Sequence, residues 1–256
     1  MKITVNEHGT NPLILHGNGT GKSTDTYITA SKHQLIRNVD LTNNNFTFIS
    51  WKGGNIINTK TILEKSAEQY GFNVINLNWE NVDGFWKGSQ QKITKTLKAI
   101  KEGLINTEYV FWLDNTDTFF IDNPDIFFDK YKNVYGNYDF VWNAEKNNYP
   151  TPAHAKWNGS NVPDTVKILL QNVIDNDLKY PSSYKYMNSG AGFGKLSKLK
   201  EMLEYAESLI GNSRLNDQAL MRIAQLKYSD STIVDRTCEL FLCCWGLDNN
   251  EITIQL

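Results

Sequence analysis

Cysteine is scarce. Cys238, Cys243 and Cys244 are the three present, crowded into one C-terminal stretch with no C-x-x-C spacing among them. An odd, clustered set supports neither a disulfide framework nor a zinc site, and reduced thiols packed near a buried strand are expected instead. An excess of one charge is also missing: 26 Lys and Arg face 28 Asp and Glu, for a formal net charge of −2. With no long basic run, there is no electrostatic footprint for nucleic acid. Apolar segments are short and interrupted, so no membrane span is predicted, and the opening "MKITVNEHGT" lacks a signal-peptide core. A cytoplasmic protein is expected, in which the sequons at Asn18, Asn45 and Asn158 carry little weight. No G-x-G-x-x-G occurs, which removes the nicotinamide or flavin fingerprint.

What is present is an alternation of strands and helices over 256 residues, enough chain for a full core. "KITV" and "PLIL" are strand candidates, and "LTNNN" at 41–45 reads as a connection. "FTFISW" (46–51), an amphipathic helix in "NTKTILEKSAEQYG" stopped by Gly71, and "FNVINL" (72–77) form a strand–helix–strand unit. A helix over 89–104 leads to the apolar strand "YVFWLD" (109–114), a short helix in "PDIFFDKY" and the strand "DFVWNAE" (139–145). Residues 146–165 read as a long loop, "TVKILLQNVIDN" as a helix, and "YKYMNSGAGFGKL" as a glycine-punctuated strand and turn. Two further helices and the strands "STIVD", "LFLCCW" and "EITIQL" close the chain. This rhythm predicts an α/β fold with a mostly parallel sheet flanked by helices.

Two stretches point to chemistry. "HGNGTGKST" (16–24) follows a strand and approaches a phosphate-binding loop, but the pattern requires glycine where His16 stands. "FWLDNTDTFF" places Asp114 and Asp117 at a strand end, where ligands bind in open α/β sheets. Carboxylates at this spacing across a turn can converge on Mg²⁺ or Mn²⁺, leaving positions for phosphate oxygens, although an acid pair in a turn is also a common cap or solvated loop.

In order, "VFWLDNTDTFF", "VWNAEKNNYP", "YMNSGAGFG" and "NDQAL" resemble the glycosyltransferase domain of the procollagen lysyl hydroxylases and their relatives. That family carries an Asp-x-x-Asp turn, a Phe-x-Ala-Glu strand, an Asn-Ser-Gly-Gly-Phe-x-Gly turn and an Asp-Asp-Gln helix start. It closes on a strand entering His-Gly-Asn-Gly. Here the matching "LILHGNG" opens the chain. The resemblance therefore implies a circular permutation, with residues 1–40 as the family's C-terminal metal-binding segment and 41–256 as the nucleotide-sugar and acceptor core. The competing reading makes residues 1–40 the tail of a preceding module.

The resemblance implies a single GT-A-like domain and a metal-dependent glycosyltransferase. It would move galactose or glucose from a UDP-sugar to a hydroxyl of hydroxylysine or a glycan. Asp114, Asp117 and His16 would hold Mn²⁺, which accepts imidazole nitrogen more readily than Mg²⁺ does. Ser50 and Trp51 would hold uracil and ribose, with Asp114 and Asn115 nearby. Gly17, Gly19, Lys22 and Lys92 would meet the diphosphate, and Asn188, Ser189 and Gly190 the sugar. Asn216, Asp217 and Glu145 are the catalytic candidates, with Trp142 flanking the cleft; Asn216 departs from the family's acidic pattern, and "LNDQAL" is equally a helix N-cap. No His-x-Asp oxygenase region is present, so lysyl hydroxylation is not predicted. A P-loop kinase or NTPase and a catalytically silent sugar-nucleotide or glycan-binding module are the alternatives.

Overall fold

A computed structural model describes residues 2–18, 21–22, 24–32, 46–53, 58–80, 85–151, 162–210 and 215–255. Gly19, the connection at 41–45, the sequons at Asn45 and Asn158 and half of the 146–165 loop lie outside them. In chain order the elements are β1 (Lys2–Val5), β2 (Ile14–His16), α1 (Asp25–Lys32), β3 (Phe46–Ser50), α2 (Ile62–Gln69) and β4 (Val74–Asn76). Then come α3 (Phe85–Lys101), β5 (Tyr109–Leu113), β6 (Thr118–Phe120), α4 (Pro124–Tyr135), β7 (Phe140–Glu145) and α5 (Asp164–Asp177). The chain continues through β8 (Tyr186–Lys195), α6 (Leu196–Ile210), α7 (Asp217–Lys227), β9 (Thr232–Val234), β10 (Phe241–Cys243) and β11 (Ile252–Gln255).

The main sheet runs β4-β3-β5-β8-β7-β9. β8 is antiparallel to β5 and β7, and the remaining pairs are parallel. This is a mostly parallel α/β sheet flanked by helices. Its central strand reads as an apolar run because both faces are covered. On β5, Phe111 and Leu113 enter one core cluster while Val110 and Trp112 enter the other. Phe48 stacks on Phe111 at 4.6 Å on the first face, and Trp112 meets Trp142 edge-on at 5.9 Å on the second.

Local signals fix the helix starts. Thr61 and Glu64 form a capping box on α2. Asn123 caps α4 ahead of Pro124, whose missing N–H is harmless in a first turn. Gly71 adopts the left-handed φ of +76° that a residue after a helix end requires.

"YMNSGAGFG", expected as a strand and turn, is one ten-residue strand, β8. Its glycines make room rather than bend the chain. A Cβ at Gly192 would lie 2.8 Å from Phe140 and from Trp142, and at Gly194 2.2 Å from the Asp139 carbonyl. The β7–β8 register jumps between Trp142, opposite Gly192, and Asn143, opposite Asn188. Such an irregularity re-aims side chains, and here it opens β8 around Gly190.

β6, absent from the sequence reading, is three residues long. With β10 and β2 it forms a second sheet, in which His16 faces Thr118 across β2–β6 and Cys243 across β2–β10. β1 pairs antiparallel with β11, Lys2 opposite Gln255.

Candidate active site

Parallel β5 and β7 end on the same side of the main sheet, delivering Asp114 just beyond β5 and Glu145 as the last residue of β7. Antiparallel β8 brings Asn188, Ser189 and Gly190 to the same edge, and the Asp114 N–H donates to the Gly190 carbonyl at 2.7 Å. β2 lays His16 against them. Together with Lys92, Asn216, Asp217 and Gln218 these residues line one cleft of about 280 Å³, which Asn18, Asn147, Tyr149 and Trp245 also line.

His16, Asp114 and Asp117 each offer a ligand atom, all within 4.8 Å of one another. His16 Nε2 lies 3.7 Å from Asp114 Oδ2 and 3.7 Å from Asp117 Oδ1. His16 Nε2 and Asp117 Oδ1 are both buried with no hydrogen-bond partner among the described residues. Orphaned polar atoms converging in this way are what a bound divalent cation would satisfy. One nitrogen and two carboxylate oxygens suit Mn²⁺ or Mg²⁺. Burial opposes protonation of His16, yet the nearby Asp114 carboxylate, the Cys243 sulfur and the Asp117 charge raise its pKa well above the usual imidazole value.

Gly190 is where it is because of His16. A Cβ there would lie 2.1 Å from His16 Cε1 and 2.4 Å from Nε2. Asn188 accepts the Gly190 N–H at 2.7 Å and donates to Glu145 at 3.2 Å. Ser189 donates to Asp217 at 2.9 Å.

Lys92, nearly buried, places its ammonium 2.5 Å from Asp114 Oδ1 and 3.3 Å from Asp217 Oδ2. Burial alone would raise the Asp114 pKa, but the Lys92 and His16 charges hold it below the ordinary carboxylate value. Lys92 is correspondingly raised, against its burial, by Asp114 and Asp217. Lys22, half exposed, stands 3.3 Å from Asp117 at the mouth of the triad.

Glu145 is the other distinctive group. It is 1% exposed and accepts hydrogen bonds from Asn18 (3.0 Å), Asn188 (3.2 Å) and Gln218 (2.6 Å). Burial pushes its pKa up to about 7 despite these donors. A carboxyl that titrates near neutrality in a cleft is equipped for proton transfer.

Other expected residues are engaged differently. Ser50 is fully buried and donates to the Leu113 carbonyl at 2.6 Å, while Trp51 packs in the core on Trp112 and donates to Thr96 at 3.2 Å. Neither lines the cleft: Trp51 follows Ile49 into one core cluster, and Ser50 on the other face is spent on the neighbouring strand. Trp142 is likewise a core side chain, not a wall of the cleft. Asn115 is buried in the turn and donates to Asn76. Gly17 spends its N–H on the Asp117 carbonyl at 2.7 Å, and a Cβ there would strike Lys22 and Tyr27. Packing alone therefore requires glycine there. Asn216 caps α7 through Ala219 N–H at 2.9 Å and donates to the Tyr149 hydroxyl at 3.3 Å, so its carboxamide is committed to structure.

Sequence reasoning gave no role at the site to Asn18, Asn143, Tyr149, Gln218, Cys243 or Trp245. Asn18, at φ +37°, was signalled by its place between two glycines, because asparagine tolerates left-handed backbone. Asn143 was signalled by strand periodicity, two residues before Glu145.

The described residues of the would-be phosphate loop are packed against their own chain. A Cβ at Gly21 would lie 2.6 Å from Trp245 N, α1 starts only at Asp25, and Lys22 turns to Asp117.

No protein-family model matches the chain, and no curated protein matches it. Among solved structures it is similar to a glycosyltransferase involved in glycosylation of the major capsid of PBCV-1. That match has 14% identity and a TM-score of 0.41, covering 80% of this chain and 96% of that one. It is also similar to mouse xyloside xylosyltransferase 1 in its apo form, at 11% identity and a TM-score of 0.38, covering 77% and 84%. Likenesses this loose carry no argument about this chain's chemistry, which stands on the site itself. No helix among the described residues is long and apolar enough to cross a membrane.

Proposed function

We propose that the protein is a GT-A-like, metal-dependent glycosyltransferase moving a hexose from a UDP-sugar to a hydroxyl acceptor. The observation that carries this reading is the triad of His16, Asp114 and Asp117, with two of its buried atoms unpartnered, opening onto a cleft that also holds Glu145. A divalent ion held by the triad supplies charge neutralisation for a departing diphosphate.

The chain's own groups divide the remaining work. Lys22, at the mouth of the triad, adds positive charge beside the diphosphate. Lys92 holds Asp114 in its ionised, ligating form and fixes Asp217. Ser189 and the carboxamide of Asn188 line the sugar side, where Gly190 leaves space only for the imidazole. Glu145 takes the proton of the acceptor hydroxyl as its oxygen bonds to the anomeric carbon and the bond to the diphosphate oxygen breaks.

The motif resemblance favours galactose or glucose as the hexose, and hydroxylysine or a glycan as the acceptor. A permuted order of the same domain is supported by His16 sharing one site with Asp114 and Asp117. The reading is tested by measuring UDP release from a panel of UDP-hexoses with Mn²⁺, with Mg²⁺ and with chelator. Mn²⁺-dependent release supports it. UDP binding without release leaves a binding module, and metal-independent release contradicts the site.

A further inference from the structure

His16 turns its ring nitrogens to different neighbours. Nε2 faces the two aspartates. On the other side, Nδ1 lies 3.3 Å from the carboxamide nitrogen of Asn143, and the Cys243 thiol is also within reach of the ring. Asn143 is fully buried, and its Oδ1 has no partner among the described residues. It sits where the β7 register shifts against β8.

A neutral imidazole carries one proton, and the nitrogen that ligates a cation is the one without it. With the carboxamide nitrogen donating to Nδ1, the ring proton would sit on Nε2, between the carboxylates, and would block the cation. A half-turn about the Cβ–Cγ bond exchanges the two ends of the carboxamide in the same volume and brings the unpartnered Oδ1 to Nδ1. We propose that Asn143 Oδ1 accepts the Nδ1–H of His16 and thereby presents the Nε2 lone pair to the divalent cation, making Asn143 a positioning residue for the metal site. Cys243 is secondary, because a thiol is a weak acceptor. The inference rests on the metal reading above.

The test is Mn²⁺ affinity, read by electron paramagnetic resonance, for the wild-type chain, Asn143→Asp, Asn143→Leu and Cys243→Ala, with folding checked by near-ultraviolet circular dichroism. Aspartate accepts but does not donate, so Asn143→Asp keeps or tightens binding. Asn143→Leu weakens it by about 10- to 100-fold, the usual loss for a partner behind a ligating histidine. Cys243→Ala leaves it unchanged. Equal loss in both Asn143 variants, or none in Asn143→Leu, overturns the proposal.

Should a variant not fold, the tautomer is read directly in metal-free wild-type protein at alkaline pH from ¹⁵N-labelled histidine. The chain has four histidines, which keeps the spectrum simple. A protonated Nδ1 on His16 supports the proposal, and a protonated Nε2 overturns it. A wild-type chain with protonated Nδ1 that binds no Mn²⁺ overturns the metal reading but leaves the Asn143 contact standing.

Discussion

Replacing Gly190 by alanine sets one methyl group against one imidazole. The added Cβ would lie 2.1 Å from His16 Cε1, 2.4 Å from Nε2 and 2.9 Å from Asn188 Oδ1, well inside the ~3.5 Å at which carbon atoms rest in contact. His16 has nowhere to withdraw. It is 1% exposed, β2 is paired on both sides, and Asn143 stands behind Nδ1. Overpacking of this kind costs about 1–3 kcal/mol, which for a domain of this size lowers Tm by roughly 2–12 °C. Displacing a ligand weakens Mn²⁺ binding by at least the ~10- to 100-fold seen when only its outer partner is disturbed, or ~1.4–2.7 kcal/mol. Gly192→Ala is the control. Its Cβ would meet Phe140 and Trp142 at 2.8 Å, so it strains the core without touching His16. Thermal unfolding and Mn²⁺ titration of both variants separate the effects: both lose stability, and only Gly190→Ala loses metal. A folded Gly190→Ala protein with wild-type Mn²⁺ affinity would refute the reasoning.

Three further variants have defined expected outcomes. Lys92→Met leaves Asp114 and Asp217 facing each other without their cation, and breaking a buried pair costs about 3–5 kcal/mol; a loss below about 1 kcal/mol in denaturant unfolding, the value of a surface pair, would contradict the packing described. Glu145→Gln keeps the fold but lowers kcat by roughly 10²- to 10⁴-fold. Because the Glu145 pKa is raised to about 7, wild-type turnover climbs as pH rises through that region, or lower once a cation binds, and the climb is absent from Glu145→Gln. The folded chain also holds this proton more tightly than the unfolded one, so the Glu145 contribution to stability falls as pH rises from the ordinary carboxylate value toward about 7. Denaturation at pH 5 and pH 8 in both proteins checks the sign. Ser50→Ala removes one buried hydrogen bond, costing about 1 kcal/mol, and leaves the KM for donor unchanged; a large rise in KM would return Ser50 to the binding site.

Elements with strong periodicity were legible in the sequence. The apolar run at 109–113 and the capped helices formed where expected, because those signals are local. β6 was not, because three residues carry no period and its partner β2 is about a hundred residues away. The glycines of β8 were misread as a turn because the space they leave belongs to Phe140, Trp142 and His16, which come from other elements. Position along a strand located Ser50 and Trp51 at the cleft end of the sheet but carried no sign that Ser50 bonds to the next strand and Trp51 enters the core. Asp114 and Asp117 were visible as a spaced pair, whereas His16 joined them only through motif resemblance. The amide collar around Glu145 is assembled from three separate segments, and no spacing encodes it.

Calorimetric titration of UDP into the chain, with and without Mn²⁺, in wild-type protein and in His16→Ala, tests the central claim most directly. The account predicts UDP binding that requires Mn²⁺ and is weakened by His16→Ala, with ATP failing to compete. UDP binding indifferent to both the metal and His16 would contradict it.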